Sequence, residues 1–191
     1  MHASFLGFVA LHAAFLGADA YVALLLTGVR GLSLESASLC ITLAALGWSA
    51  SAFAQPSLLD RVGAVPLVVV GGAALAIATA GMCAIALGAP IQLAFVTWTI
   101  GGFGMGFSYP TISLVSLGAA SEGQEGAVSS ATALAALIGM LAGILLCGIP
   151  VSLAGHAGVV LSKAIVYTFA IAFAFSLLLL WVAPRLAAVK R

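Results

Sequence analysis

Residues 4–27 read SFLGFVALHAAFLGADAYVALLLT, an uninterrupted stretch that holds one acidic residue, Asp19, and no lysine or arginine. An α-helix needs about 20 mostly apolar residues to cross a hydrocarbon core of roughly 30 Å. The stretch lacks the strict alternation of polar and apolar residues that marks a strand of a membrane barrel. It therefore predicts a membrane-spanning helix.

Further stretches of the same kind fill most of the chain. Of its 191 residues, 64% are hydrophobic and 6% are charged, whereas a soluble domain has about 25% charged residues. Together with 4–27, the predicted spans lie at about 36–59, 65–87, 91–117, 127–153 and 161–183. Backbone polar groups in lipid must be paired within the protein, which a helix achieves by itself.

These observations predict an all-α polytopic membrane protein, with one six-helix domain over residues 1–191. Two triplets of helices would run through the membrane in opposite directions, so the topology is compatible with a 3+3 inverted repeat. No sequence similarity between the triplets is evident. The chain leaves no room for a soluble domain, so its function is expected within the bilayer or at its faces.

Charged loops predict the orientation of the chain in the membrane. Loops rich in lysine and arginine face the cytoplasm, and six spans place both termini on one side. That side holds four cationic residues and the other holds two; the sets are Arg61, Arg185, Lys190 and Arg191 against Arg30 and Lys163. We therefore expect an integral protein of the plasma (inner) membrane with both termini in the cytoplasm.

Asp19 and His12 are the candidate residues for a substrate or proton pathway. A carboxylate near the bilayer centre costs on the order of 2.5–3.5 kcal/mol, so we expect Asp19 to face a cavity or a partner. His12 lies seven residues earlier, on about the same helix face, and about 10 Å away along the axis. Both groups can bind and release protons. A structural ion pair or an interfacial position is the alternative for Asp19, and a satisfied buried histidine is the alternative for His12.

Glycine pairs predict close helix packing. Gly102 and Gly106 in the fourth span, and Gly139 and Gly143 in the fifth, have the four-residue spacing that lets helix backbones approach. Pro110 removes a backbone hydrogen bond and is a candidate bending point.

Enzymatic chemistry finds little support in the sequence. The three histidines have no metal-ligand spacing, and no cysteine or carboxylate clusters with them. Residues 106–110, GFSYP, lack the final glycine of a nucleophile elbow. A net charge of +1 gives no indication of nucleic-acid binding. We expect no catalytic residues, no metal and no cofactor.

One loop resembles a known family. Residues 58–63, LLDRVG, resemble the cytoplasmic loop motif of the major facilitator superfamily, with Pro56 in place of its leading glycine. Its trailing basic residues are also replaced, by Ala64 and Val65, as suits the weaker copy between the eighth and ninth helices. Three further segments resemble the seventh-to-eighth turn, the tenth helix and the start of the eleventh helix of drug:proton antiporters; they are 29–37, 101–113 and 122–130.

The resemblance implies that the chain is the C-terminal six-helix half of such a transporter. It implies transport of a small organic solute, with drug/proton antiport as the nearest type, and a gating role for Asp60, Arg61 and Gly63. Family members rock two six-helix bundles about a central site, so a second bundle, from a second copy or a separate chain, is expected as partner. Aromatic side chains could bind an apolar cation; the candidates are Tyr21, Trp98 and Tyr109. The alternative is a membrane assembly or binding partner without transport, or an inactive fragment.

Overall fold

A computed structural model describes residues 2–157 and 160–190, and this part of the chain folds into six α-helices without strands. Their bounds are α1 His2–Ala23, α2 Leu34–Val62, α3 Ala64–Ala86, α4 Leu93–Gly118, α5 Glu125–Ala157 and α6 Leu161–Val182. A π-helical segment, Leu24–Val29, continues α1, and a 3₁₀ segment, Ala183–Lys190, follows α6. Arg191, which contributed to the predicted orientation, lies outside the described residues.

Five of the helices are long and apolar enough to cross a membrane, whereas six spans were predicted. The exception is α4, the predicted fourth span at 91–117. Its length is sufficient, but glycine, serine and threonine interrupt its apolar residues. Several of these polar side chains are buried against other helices, among them Ser108, Thr111 and Ser116. Since α4 packs mainly on protein, it does not need the apolar surface of a lipid-facing helix.

The turn between α2 and α3 is much shorter than the sequence suggested. A connection from Pro56 to Pro66 was expected, but α2 continues through Pro56 to Val62 and only Gly63 separates the two helices. Gly63 has a φ of +83°, which glycine adopts without strain, and its N–H donates to the Leu59 carbonyl at 2.9 Å. Pro66 falls in the first turn of α3, where its missing N–H has no intrahelical role.

Two parallel helix pairs are a main feature of the fold. α1 packs along α5 and α2 packs along α4. α3 packs on α4, α6 packs on α1 and α5, and α3 and α6 contact each other. Exchanging α1 with α4, α2 with α5 and α3 with α6 converts the first pair into the second and retains the α3–α6 contact. These relations are compatible with a repeat of three helices, although α5 and α6 contact each other much more than their counterparts α2 and α3 do.

The helices alternate in direction, which defines two ends. The terminal face holds the start of α1, the turn at Gly63 and the α4–α5 loop; the distal face holds Arg30 and the α3–α4 turn. At the distal face, Arg30 donates hydrogen bonds to the carbonyls of Ile85 and, at 2.9 Å, Ala89. These bonds hold Arg30 against the end of α3 and the turn that follows it.

Candidate functional site

Asp19 is held by a side chain of another helix. Its Oδ1 accepts a hydrogen bond of 2.8 Å from Nε1 of Trp98, which lies fully buried on α4. The indole stacks on Phe15 with ring centroids 5.2 Å apart, and its edge meets Phe169 of α6 at 6.1 Å. Because rings pack on two sides of Trp98, its only donor is fixed towards α1, where the half-buried Asp19 lies.

His12 is buried and bonded within its own helix. Its Nδ1 donates to the Phe8 carbonyl at 2.8 Å, which leaves Nε2 with the lone pair in a neutral imidazole. The ring lies 5.8 Å from Phe8 and 5.6 Å from Tyr109. His12 is 5% exposed, so only adjacent side chains or a small solute could reach Nε2.

Asp19 and His12 do not contact each other, as their spacing on α1 requires. A continuous series of rings connects them instead: Trp98 packs on Phe15, Phe15 on Trp48 at 5.9 Å, Trp48 on Tyr109 at 6.4 Å, and Tyr109 on His12. We call these four side chains, Trp98, Phe15, Trp48 and Tyr109, the aromatic row. They come from α1, α2 and α4, and the row was not apparent from the sequence because its members are far apart in the chain.

The aromatic row is open at one side. Tyr109 is 40% exposed and Trp48 is half-buried, whereas Phe15 and Trp98 are buried. Trp48 also lines a groove of about 550 Å³ along α2, together with Ala45, Ser49, Ala52 and Phe53. A solute in this groove would therefore reach the row at Trp48.

A buried polar network at the α2–α4 contact was also missed by the sequence analysis. Nε2 of Gln55 donates to Oγ1 of Thr111 at 3.0 Å, and Thr111 donates to the Phe107 carbonyl at 2.6 Å. Gln55 is 2% exposed. A lone amide inside an apolar span was the available signal, since a buried amide needs a hydrogen-bond partner.

The four glycines predicted as packing positions all lie at helix contacts. A Cβ at Gly102 would overlap the Ala44 carbonyl oxygen, and one at Gly106 would overlap Ser51 and the Trp48 carbonyl. On the other pair, a Cβ at Gly139 would lie 2.5 Å from the Val9 carbonyl oxygen, and one at Gly143 would lie 2.6 Å from that of Ala13.

Pro110 lies inside α4, which continues beyond it to Gly118. Its side chain is half-buried, next to the exposed Tyr109. Because proline has no N–H, the carbonyl of Gly106 loses its usual helical partner at this point. The helix therefore has one backbone hydrogen bond fewer where the aromatic row meets it.

The loop motif lies apart from these residues. Asp60 and Arg61 are exposed in the last turn of α2, and Gly63 forms the turn to α3 at the terminal face. Asp19 lies 17 residues into α1 from His2, about 26 Å from that face at 1.5 Å per residue. The motif therefore does not contact Asp19.

Tyr21 joins α1 to α5. Its hydroxyl donates to the Ile144 carbonyl at 2.7 Å and lies against Gly148. It is therefore not part of the aromatic row. Within the described residues, no group of three or more His, Cys, Asp or Glu side chains is placed to hold a metal ion.

No protein-family model matches this chain, and no curated protein has a significantly similar sequence.

Proposed function

We propose that the chain is one six-helix bundle of a transporter of the major facilitator type, which moves a small organic solute across the membrane in exchange for protons. The observation that carries the proposal is the Asp19 carboxyl group, bonded to Trp98 at one end of an aromatic row that opens to a groove. Ionisable residues inside a membrane protein are costly and commonly mark solute or proton pathways.

The chemistry of the row favours an apolar cationic solute. Aromatic faces attract cations, and the attraction increases when the pair is shielded from water. Trp48 and Tyr109 would provide the first such faces for a solute in the groove, and Asp19 would provide a negative charge further in. Protonation of Asp19 removes that charge, so proton binding and solute binding would oppose each other. His12 lies at the other end of the row and offers a second group that can bind a proton.

The surfaces of α2 and α5 support the need for a second bundle. In the most apolar 18-residue segment of each helix, 28% of the residues are buried in α2 and 22% in α5. The corresponding fraction is 61% in the first helix. Alternating access requires two bundles that move against each other about a fixed site. The partner would cover these faces, and the turn with Asp60, Arg61 and Gly63 would contact it in only one of the two access states, which biases the equilibrium between them.

A transport assay with a matched control tests the proposal. Wild-type protein, Asp19→Asn and Glu122→Gln are reconstituted in liposomes with a pH gradient, and uptake of ethidium, an aromatic cation, is followed by fluorescence. Glu122 is an exposed carboxylate in the α4–α5 loop, so its replacement controls for loss of charge alone. We expect gradient-driven uptake in the wild type and the control and little in Asp19→Asn. Equal uptake by all three proteins would exclude Asp19 from the mechanism.

The exposed α5 face also favours the alternative, a membrane assembly partner without transport. Cross-linking in native membranes separates the two functions. A second copy or a six-helix companion in the cross-linked product, with flux on joint reconstitution, supports the transporter. A stable complex with another membrane protein and no solute flux supports the assembly partner.

A further inference from the structure

The exposed face of α6 carries an aromatic residue and a cation near each of its ends. Tyr167 and Trp181 are 61% and 56% exposed, and Lys163 and Arg185 are exposed as well. α6 has 22 residues and is therefore about 33 Å long, close to the roughly 30 Å of the hydrocarbon core. Lys163 lies in the first turn of α6 and Arg185 follows shortly after its end. The two pairs therefore lie near the two boundaries of a bilayer.

The residues between these ends provide a surface for an acyl chain. Ala170, Ala174 and Leu177 are exposed along the same face, and no charged residue lies between Tyr167 and Trp181. The two alanines make the face shallow beside the larger side chain of Tyr167. Tryptophan and tyrosine prefer the headgroup level at both membrane interfaces. We therefore expect this face to contact lipid.

Arg185 is held in place by Trp181. The Cζ atom of Arg185 lies 3.5 Å from the centroid of the indole ring, and its Nη1 donates a hydrogen bond to the Trp181 carbonyl. A guanidinium stacks on an aromatic ring through its flat face, whereas its N–H donors lie in its plane. The two contacts with Trp181 therefore orient the guanidinium and leave most of its donors available.

The charge of Arg185 is not balanced by a neighbouring carboxylate. Among the residues that the structure describes, its guanidinium forms no ion pair with Asp60, Glu122 or Glu125, the acidic residues of the terminal face. Arginine binds phosphate groups through two parallel hydrogen bonds, and an anionic lipid surface attracts the cationic side chains that lie near it. A phosphate at the level of the lipid headgroups therefore fits the free donors and the charge of Arg185.

We infer that Arg185 and Trp181 form a binding site for an anionic phospholipid. The guanidinium donates to the phosphate group, the indole holds the guanidinium, and an acyl chain lies along the exposed face of α6. The inference requires that the chain lies in a bilayer, but it does not depend on transport, because neither Asp19 nor the aromatic row contributes to this surface.

Lipid binding to the full chain tests the inference. The purified protein is titrated with dioleoyl phosphatidylglycerol or dioleoyl phosphatidylcholine, which have the same acyl chains, and bound lipid is followed by native mass spectrometry. We expect the anionic lipid to bind about fivefold more tightly, as one cationic side chain near an anionic surface provides. Arg185→Gln should bind both lipids equally. Arg61→Gln is the control, because it removes an exposed cation of the same face, and it should keep the wild-type preference.

Two further measurements test the roles of the ring and of the acyl chain. Trp181→Leu keeps an apolar side chain but removes the stacked ring, and it should reduce the preference for the anionic lipid. Glycerol phosphate has the charged group without acyl chains, and it should not displace phosphatidylglycerol from the wild type. Circular dichroism establishes that each variant is folded. The inference is overturned by a wild type without preference, by an unchanged preference in Arg185→Gln or Trp181→Leu, by its loss in Arg61→Gln, or by displacement with glycerol phosphate.

Discussion

Trp98 donates a hydrogen bond of 2.8 Å to Asp19, and this bond joins α4 to α1 at the end of the aromatic row. Trp98 has no freedom to turn its N–H elsewhere, because Phe15 and Phe169 pack against its ring. The carboxyl group is therefore held in one orientation, which under the proposed function would reduce the ordering cost of binding a solute.

Trp98→Phe should weaken the fold through loss of this one donor. Phenylalanine keeps an aromatic ring at this site but is smaller than indole and has no N–H, and hydrogen bonds to charged groups contribute about 1.5–3 kcal/mol. We expect a loss of about 1–3 kcal/mol in the free energy of unfolding, measured by denaturant titration in micelles. In an Asp19→Ala background the same substitution should cost clearly less, since the acceptor is absent. Equal costs in both backgrounds would show that the bond does not contribute to stability.

Gly102→Ala should disrupt the α2–α4 contact. The new methyl group would overlap the Ala44 carbonyl oxygen and lie 2.8 Å from its carbonyl carbon, so the helices would have to separate. Overpacking of this kind costs about 1–3 kcal/mol. Gly126→Ala is the control, because a Cβ there meets nothing within 4 Å; it should be neutral or stabilising by up to about 1 kcal/mol. Melting temperatures in the opposite order would contradict this packing.

Ser108→Ala should stabilise the protein. Oγ of Ser108 is fully buried without a hydrogen-bond partner, and removal of such a group relieves a penalty of about 1–3 kcal/mol. Ser116→Ala on the same helix removes a hydroxyl that is bonded to the Ile112 carbonyl, and it should destabilise by about 0.5–1 kcal/mol. Thermal unfolding of the two variants beside the wild type measures both effects. A lower melting temperature for Ser108→Ala would show that this hydroxyl has a partner.

Arg30→Ala should loosen the distal face. The guanidinium caps the end of α3 by donating hydrogen bonds to the Ile85 and Ala89 carbonyls. Its positive charge also interacts favourably with the negative end of the α3 dipole. We expect a loss of about 1–2 kcal/mol and faster amide hydrogen exchange at 85–91. Lys163→Ala removes an exposed cation from the same face and should change stability by less than about 0.5 kcal/mol. Similar effects in both variants would indicate a general charge effect instead of capping.

Much of the fold was predictable, because membrane helices are encoded locally. About 20 apolar residues suffice to specify a helix, and five of the predicted spans correspond to helices that are long and apolar enough to cross a membrane. The predictions for the fourth span and for the end of α2 were wrong, because in both places packing against other helices matters more than local composition. α4 is less apolar than a span because it packs on protein. Pro56 does not end α2, because it deprives only the Ala52 carbonyl of its helical partner and the helix resumes to Val62.

The sequence by itself determined the helical class, the approximate helix positions, and the two ionisable residues of α1 that require an explanation. Only the tertiary structure decided their surroundings, because Trp98 reaches Asp19 and Tyr109 reaches His12 across contacts between distant parts of the chain. The same holds for the Gln55–Thr111 bond. Helix formation depends on neighbours a few residues apart, whereas the identity of a polar group's partner depends on how the helices pack.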